Sequence, residues 1–191
     1  MIIEPGSFYH FYNRGNNKEP IFLEKKNYDF FLKRMKFYFD SDKIHATIYC
    51  LMPNHYHLVI RPQHGIDLSN IMRAFTTSYV KSYNKWNNRV GHLFQGDSQA
   101  KLVESEEYLI HLCRYIHLNP VTAGLVAHPE DWVYSDYKLW ISEDNATQVA
   151  AVTLRNELVG GGKEYQKFVM NYADAKRKQE EIERRFLSVI K

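Results

Sequence analysis

Two periods of apolar residues alternate along this chain, and the switches between them outline its elements. Ser7–Asn13 (SFYHFYN) is aromatic and β-prone, and Arg14-Gly15-Asn16-Asn17 behind it has turn chemistry. Asn27–Phe39 places apolar residues at 28, 30, 31, 35, 38 and 39, the spacing of an amphipathic helix. Ile44–Leu51 and His55–Arg61 are short β-like runs split by Met52-Pro53-Asn54, which predicts a hairpin. Leu68–Trp86 returns to helical spacing through Leu68, Ile71, Met72, Phe75, Tyr79 and Tyr83. Leu93–Val103 has strand character. Ser105 is an expected N-cap, with Glu106 and Glu107 in the first turn of a helix that runs to about Leu118 and is stopped by Pro120.

The order β-α-β-β-α-β plus a further helix predicts an α+β fold of the split βαβ, ferredoxin-like kind. Its sheet is expected to be mostly antiparallel, with helices on one face. After Pro129 the pattern weakens; Gly160-Gly161-Gly162 reads as a flexible break and Lys163–Ile190 as a charged helical tail. The expected organisation is one domain over residues 1–140 and a mainly helical accessory extension over residues 141–191.

Composition narrows the picture modestly. At 191 residues the chain can hold one domain with a real core. Tyrosines outnumber phenylalanines, 14 to 11, which suits a base-stacking surface and a Tyr-rich core equally. Residues 1–126 carry 15 basic and 11 acidic side chains, a balance that permits nucleic-acid contact without demanding it. Cys50 and Cys113 lie in apolar surroundings without CxxC spacing and read as buried free thiols of a reducing compartment. No apolar run approaches the roughly 18 residues of a membrane span, and Met1-Ile2-Ile3-Glu4-Pro5 lacks signal-peptide character. The expected setting is the cytoplasm, without membrane attachment.

The densest chemistry is Pro53-Asn54-His55-Tyr56-His57-Leu58. On a strand the side-chain period is two, so His55 and His57 share one face while Tyr56, Leu58 and Ile60 take the other. Two adjacent imidazoles are half of a transition-metal site, or of a Mg²⁺ or Mn²⁺ site completed by oxygens. The alternative is two histidines on a half-exposed strand, since H-x-H is a short and common pattern. On the helix after Ser105, Tyr115 and Asn119 are one turn apart and address one point in space. A tyrosine there can attack a phosphodiester, and an asparagine oxygen can complete a metal site. The competing expectation has Tyr115 sharing a core face with Tyr108 and Leu112, and Asn119 capping a frayed helix end. On Leu68–Asn88, Arg73, Lys81 and Lys85 alternate with Phe75, Tyr79, Tyr83 and Trp86, either as a phosphate-contacting face or as the solvated side of an ordinary helix.

Taken in order, the motifs carry more than their parts. The chain reads Tyr9-His10-Phe11-Tyr12-Asn13-Arg14-Gly15, Ile21-Phe22 and Tyr49-Cys50-Leu51-Met52-Pro53-Asn54-His55-Tyr56-His57-Leu58. It continues with Gly91-His92-Leu93-Phe94-Gln95-Gly96, Tyr115-Ile116-His117-Leu118-Asn119-Pro120-Val121 and Ala123-Gly124-Leu125-Val126. From about Gly6 to Trp140 this resembles the single-tyrosine transposases of the histidine–hydrophobic–histidine (HUH) superfamily, and within them the REP-associated tyrosine transposases. The resemblance implies an HUH-endonuclease fold and metal-dependent cutting and rejoining of single-stranded DNA, often at hairpins, by a nucleoid-associated protein. It implies His55, His57 and Asn119 as ligands of Mg²⁺ or Mn²⁺, and Tyr115 as the nucleophile that forms a 5′-phosphotyrosine. A phenol with an ordinary pKa near 10 needs help at neutral pH, from the metal or a basic neighbour such as Arg114. Arg14, Arg73, Lys81, Lys85, Lys101 and Arg114 are the expected DNA contacts. Relatives of this kind are monomers or homodimers.

The chain departs from the family pattern at Asp97, where a basic residue commonly follows Leu-Phe-Gln-Gly, and at Tyr56, where a small aliphatic residue usually separates the histidines. An acidic group on a DNA-facing strand repels phosphate, so the alternative is a DNA- or RNA-binding module of the same fold with weak or no cleavage. A third reading is a water-using phosphodiesterase in which Tyr115 is structural; it lacks the carboxylate ligands that a two-metal hydrolase normally needs.

Overall fold

A computed structural model describes residues 3–41, 43–63, 66–143, 150–171 and 182. The chain forms two compact units, Met1–Leu102 and Val103–Lys191. In the first, β1 (Tyr9–Arg14) leads to α1 (Lys25–Phe39), then to β2 (Asp40–Ser41), β3 (Ile44–Met52) and β4 (His55–Pro62). There follow α2 (Leu68–Trp86) and β5 (Gln99–Leu102). The sheet runs β2-β3-β4-β1-β5 with every pairing antiparallel. This is the ferredoxin-like split βαβ arrangement, extended at one edge by the two-residue β2.

One face of the sheet is built for helices. Tyr9, Phe11, Tyr56, Leu58 and Ile60 alternate with the residues of the other face and are all buried. Against them α1 brings Tyr28, Phe31 and Met35, and α2 brings Leu68, Met72, Phe75, Tyr79 and Tyr83, each set at helical spacing. Phe31 is the hub: its ring lies 5.1 Å from that of Tyr56, 4.8 Å from Phe75 and 5.0 Å from Tyr79. Burying a phenylalanine side chain contributes about 1.5–3 kcal/mol, and edge-on ring pairs add about 0.5–1.5 kcal/mol. The tyrosine hydroxyls keep partners: Tyr79 and Tyr83 donate to the carbonyls of Ile21 and Pro20, and Tyr56 meets Ser98 at 2.7 Å.

The strand expected over Leu93–Val103 is regular only at Gln99–Leu102. Upstream, the chain makes a single bridge between Phe94 and Gly15, and Asn13 Nδ2 donates to the Gly96 carbonyl, so a side chain replaces the sheet ladder there. Asp97 accordingly sits exposed in a loop, not on a strand.

The second unit is helical: α3 (Glu106–Thr122), α4 (Tyr137–Ile141), α5 (Ala150–Val159) and α6 (Gly162–Met170). Ser105 caps α3, accepting from the Tyr108 amide at 3.1 Å. Pro120 does not stop this helix. It lies in the last turn, where its missing N–H removes one ladder bond, and the stop is Gly124. Gly124 has φ +69°; its amide bonds Val121 O and that of Leu125 bonds Pro120 O, both at 2.9 Å, the pair of a Schellman ending. Asn119 is therefore inside the helix and not at a frayed end.

The segment beyond residue 141 packs into this unit. His117 Nδ1 meets the Tyr165 hydroxyl at 2.7 Å and Nε2 meets Asp136 Oδ1 at 3.0 Å, while Trp140 Nε1 donates to Asp136 Oδ2 at 3.0 Å. Arg155, 1% exposed, donates to the carbonyls of Trp140 and Ser142. Gly160 and Gly161 join two helices of this one core, so they are a tight connection and not a loose break. The expected charged tail beyond Asn171 lies outside the described residues, apart from Ile182. Among the described residues no helix is long and apolar enough to cross a membrane.

Candidate active site

The β3–β4 hairpin presents the histidine pair. His55 and His57 share the sheet face opposite the helices, with Cys50 and Met52 beside them on β3 and Tyr12 and Arg14 on β1. Their rings are 5.1 Å apart, edge to face. His55 is half-buried, and His57 is buried. Tyr56 points to the helical side, so the bulky residue between the histidines leaves their face unaltered.

Hydrogen bonds define which ring nitrogen each histidine can offer. Asn54 Nδ2 donates to the Lys18 carbonyl at 3.2 Å, which turns Oδ1 toward His55 Nδ1 at 2.7 Å. An amide oxygen only accepts, so Nδ1 carries a proton, and in the neutral ring the lone pair of His55 is on Nε2. His57 Nδ1 is 3.0 Å from His10 Nε2, and these two rings stack with centroids 5.1 Å apart. His57 and His10 are neutral. Burial, then the neighbouring His55 and His10, holds His57 well below the usual imidazole range. Burial, then Lys101, pushes His10 down to about 3.

The turn that delivers these residues is fastened by the β1–α1 connection. The amides of Ile21 and Phe22 both donate to the Pro53 carbonyl, at 2.8 and 3.0 Å, and Gly15 N–H donates to Asn54 O at 2.8 Å. The Asn-Arg-Gly, Ile-Phe and Leu-Phe-Gln-Gly motifs thus do structural work for the hairpin; the amides of Asn16 and Gln95 close the set by donating to Leu93 O and Arg14 O.

The expected basic contacts fall into three groups. Arg14 and Lys101 lie on the histidine face, cross-strand partners of His55 and His10. Arg14 Nε is enclosed and has no hydrogen-bond partner among the described residues. Arg73, Lys81 and Lys85 form an exposed stripe on α2, in the layer on the other side of the sheet. Arg114 belongs to neither set. It is 2% exposed, its guanidinium lies 4.3 Å over the Phe168 ring, and it donates to Phe168 O and His111 Nδ1. A side chain so held is a packing element of the second unit and not a surface contact for DNA.

In the second unit, α3 buries Leu109, Leu112, Cys113, Ile116, His117 and Leu118 and leaves His111, Tyr115 and Asn119 half-exposed at four-residue steps. Tyr115 is thus not in the core with Leu112, and it shares its stripe with Asn119. His10 and Asn54 lie inside motifs that assign them no role, and His111 lies outside every motif. His10 could be placed only once β1 was known to lie beside β4, and His111 only by extending the four-residue step back from Tyr115.

A metal-binding reading fits the chemistry of the donors present. Two adjacent imidazole nitrogens on one sheet face are donors suited to a divalent cation. Among the described residues no three or more His, Cys, Asp or Glu side chains converge.

No curated protein matches the sequence. The structure is similar to that of a REP-associated tyrosine transposase bound to a REP hairpin, with 18% identity, a TM-score of 0.59, and coverage of 74% of this chain and 82% of the other. At that identity the likeness establishes the shared fold. The family model for IS200-like transposases matches residues 6–119, more than half of the chain, from the approach to β1 through the histidine pair to Tyr115 and Asn119. The chain belongs to the IS200-like transposase family.

Proposed function

We propose that this protein is a single-tyrosine transposase of the REP-associated kind that nicks and rejoins single-stranded DNA beside a hairpin. The observation that carries the reading is the histidine pair: two imidazoles on one sheet face, each with Nδ1 engaged in a hydrogen bond that leaves Nε2 as the nitrogen to offer a metal. In this reading His55 and His57 hold Mg²⁺ or Mn²⁺, and Asn119 adds its side-chain oxygen. When bound, the cation polarises the scissile phosphate and offsets charge in the pentacovalent transition state. Arg14, whose Nε–H has no acceptor among the described residues, donates to a phosphate oxygen.

The Tyr115 oxygen bonds to phosphorus as the P–O3′ bond breaks. The phenol gives up its proton and the 3′-oxygen leaves as a hydroxyl. The resulting 5′-phosphotyrosine retains the energy of the phosphodiester, so a 3′-hydroxyl can reverse the step and rejoin strands without ATP. Such a protein works at the nucleoid of a reducing cytoplasm, in keeping with Cys50 and Cys113 as buried thiols.

The test is a denaturing gel of the full chain with labelled hairpin DNA carrying single-stranded flanks, in Mn²⁺ or EDTA. A metal-dependent, SDS-resistant adduct is expected, absent in Tyr115→Phe and retained in Tyr12→Phe. Tyr12 is the informative control because it shares the histidine face, although burial pushes its phenol up and makes it the poorer nucleophile. An adduct that persists in Tyr115→Phe defeats the assignment. Cleavage with no adduct favours the water-using hydrolase, and a gel shift with neither product favours a binding module.

A further inference from the structure

We propose that His10 is a positioning residue for the metal site, accepting the Nδ1 proton of His57 so that His57 presents Nε2 to the cation. The inference rests on the metal reading above and extends it to a residue for which no motif supplies a role.

The geometry is specific. His10 sits on β1, one diagonal step from His57 across the β1–β4 ladder, where Tyr12 is the direct partner of His57 and Val59 that of His10. It therefore lies on the same sheet face as the histidine pair, fully buried, with Nε2 at 3.0 Å from His57 Nδ1. His10 is no third ligand, because its near nitrogen addresses the nitrogen of His57 that the metal does not use, and no three-histidine convergence is present among the described residues.

An imidazole offers one lone pair when neutral, and the hydrogen bond at one nitrogen decides which atom offers it. If His57 Nδ1–H donates to His10 Nε2, His57 ligates through Nε2. If His10 Nε2–H donates instead, His57 carries its proton on Nε2 and cannot ligate there. A partner held at this atom therefore sets tautomer, ring orientation and ligand basicity together. Asn54 does the same for His55 through its amide oxygen, so the two ligands have matched supports, one from the hairpin turn and one from the neighbouring strand.

The experiment titrates the full chain with Mn²⁺ alone, reading free Mn²⁺ by electron paramagnetic resonance. His10→Leu is expected to weaken binding about 10- to 100-fold. His10→Gln, whose side-chain oxygen can stand where Nε2 stood, should restore affinity to within a few-fold. Hairpin binding in EDTA should be the same for all three proteins. Wild-type affinity in folded His10→Leu overturns the proposal, as does failure of His10→Gln to bind better than His10→Leu. Independently of any variant, long-range ¹H–¹⁵N spectra of the metal-free wild type should show His57 protonated at Nδ1; protonation at Nε2 overturns it. His55→Ala and His57→Ala separate the two readings. If wild type binds Mn²⁺ no better than these variants, the metal reading itself fails and this inference with it.

Discussion

His10 and His57 are uncharged because removing a cation from water costs more than their surroundings return, and that neutrality has a measurable consequence for stability. In the unfolded chain both imidazoles titrate near the ordinary 6.5, whereas in the fold His10 is held down to about 3 and His57 well below 6.5. Below pH 6.5 the unfolded state therefore binds more protons than the folded state, and stability must fall as pH falls. A histidine kept neutral in the fold contributes a slope of up to about 1.4 kcal/mol per pH unit, and for His10 the loss continues toward pH 3. Urea unfolding of the metal-free chain at pH 7, 6 and 5 should show this decline. His10→Leu should flatten the slope by about one proton's worth; an unchanged slope would mean that His10 is not buried neutral.

At the scale of elements, the hairpin turn depends on a backbone approach that only glycine allows. A Cβ on Gly15 would stand 2.0 Å from the Glu19 carbonyl oxygen, so the turn over Asn16–Lys18 could not close. That turn supplies the Lys18 carbonyl that orients Asn54, and Gly15 itself bonds Asn54 O. Gly15→Ala is expected to destabilise the chain by about 1–3 kcal/mol, the range for overpacking. Gly96→Ala, with nothing within 4 Å of its Cβ, should stay within about 0.5 kcal/mol of wild type. Chemical denaturation of the two variants side by side checks the contrast. The same elements show what the sequence made legible. Periodicity located α2 at its observed bounds, Leu68–Trp86, and put Tyr56 opposite the histidines, because a buried face leaves a regular apolar signature. It misjudged the end of α3, since a proline in a last turn loses only one bond and the decisive signal was the left-handed Gly124. It left His10 without a role, since pairing between β1 and β4 is a tertiary fact that alternation within one strand does not encode. Tyr115 and Asn119 were legible as a pair from their spacing alone; their half-exposure, against buried Leu112, follows from which side of α3 is packed.

Across the whole chain, charge is distributed far less evenly than the net value of +3 implies. Helix α1 carries Lys25, Lys26, Lys33, Arg34 and Lys36, α2 carries Arg73, Lys81 and Lys85, and Asp29 is the one acidic residue on either. The remaining residues together are net acidic. Lys25 is 2.7 Å from Asp29 and Lys26 is 3.2 Å from Glu24, which leaves the surplus on Lys33, Arg34, Lys36 and the α2 stripe. This layer covers the sheet face opposite the histidines, so on the proposed reading the first unit offers DNA two separate faces, the histidine face for the strand and the cationic helical layer. A hairpin has two parts to match: a flexible single strand for the chemistry and a stem whose phosphates carry no sequence information. Cations that bind phosphates displace condensed counterions, so removing one such cation reduces the dependence of log K on log salt by about 0.7–0.9. Replacing Arg73, Lys81 and Lys85 together with glutamine is expected to reduce that slope for hairpin binding by about 2–3 and to weaken binding most at low salt. Manganese affinity at the histidine pair should not change, because these side chains sit on the opposite layer. The Lys25→Gln, Lys26→Gln double variant should move the slope less, since those ammonium groups already face carboxylates. Fluorescence anisotropy over a salt series measures all of this directly. If the triple variant keeps the wild-type slope, the helical layer is an ordinary solvated surface and the hairpin is held by Arg14, Lys101 and the histidine face alone.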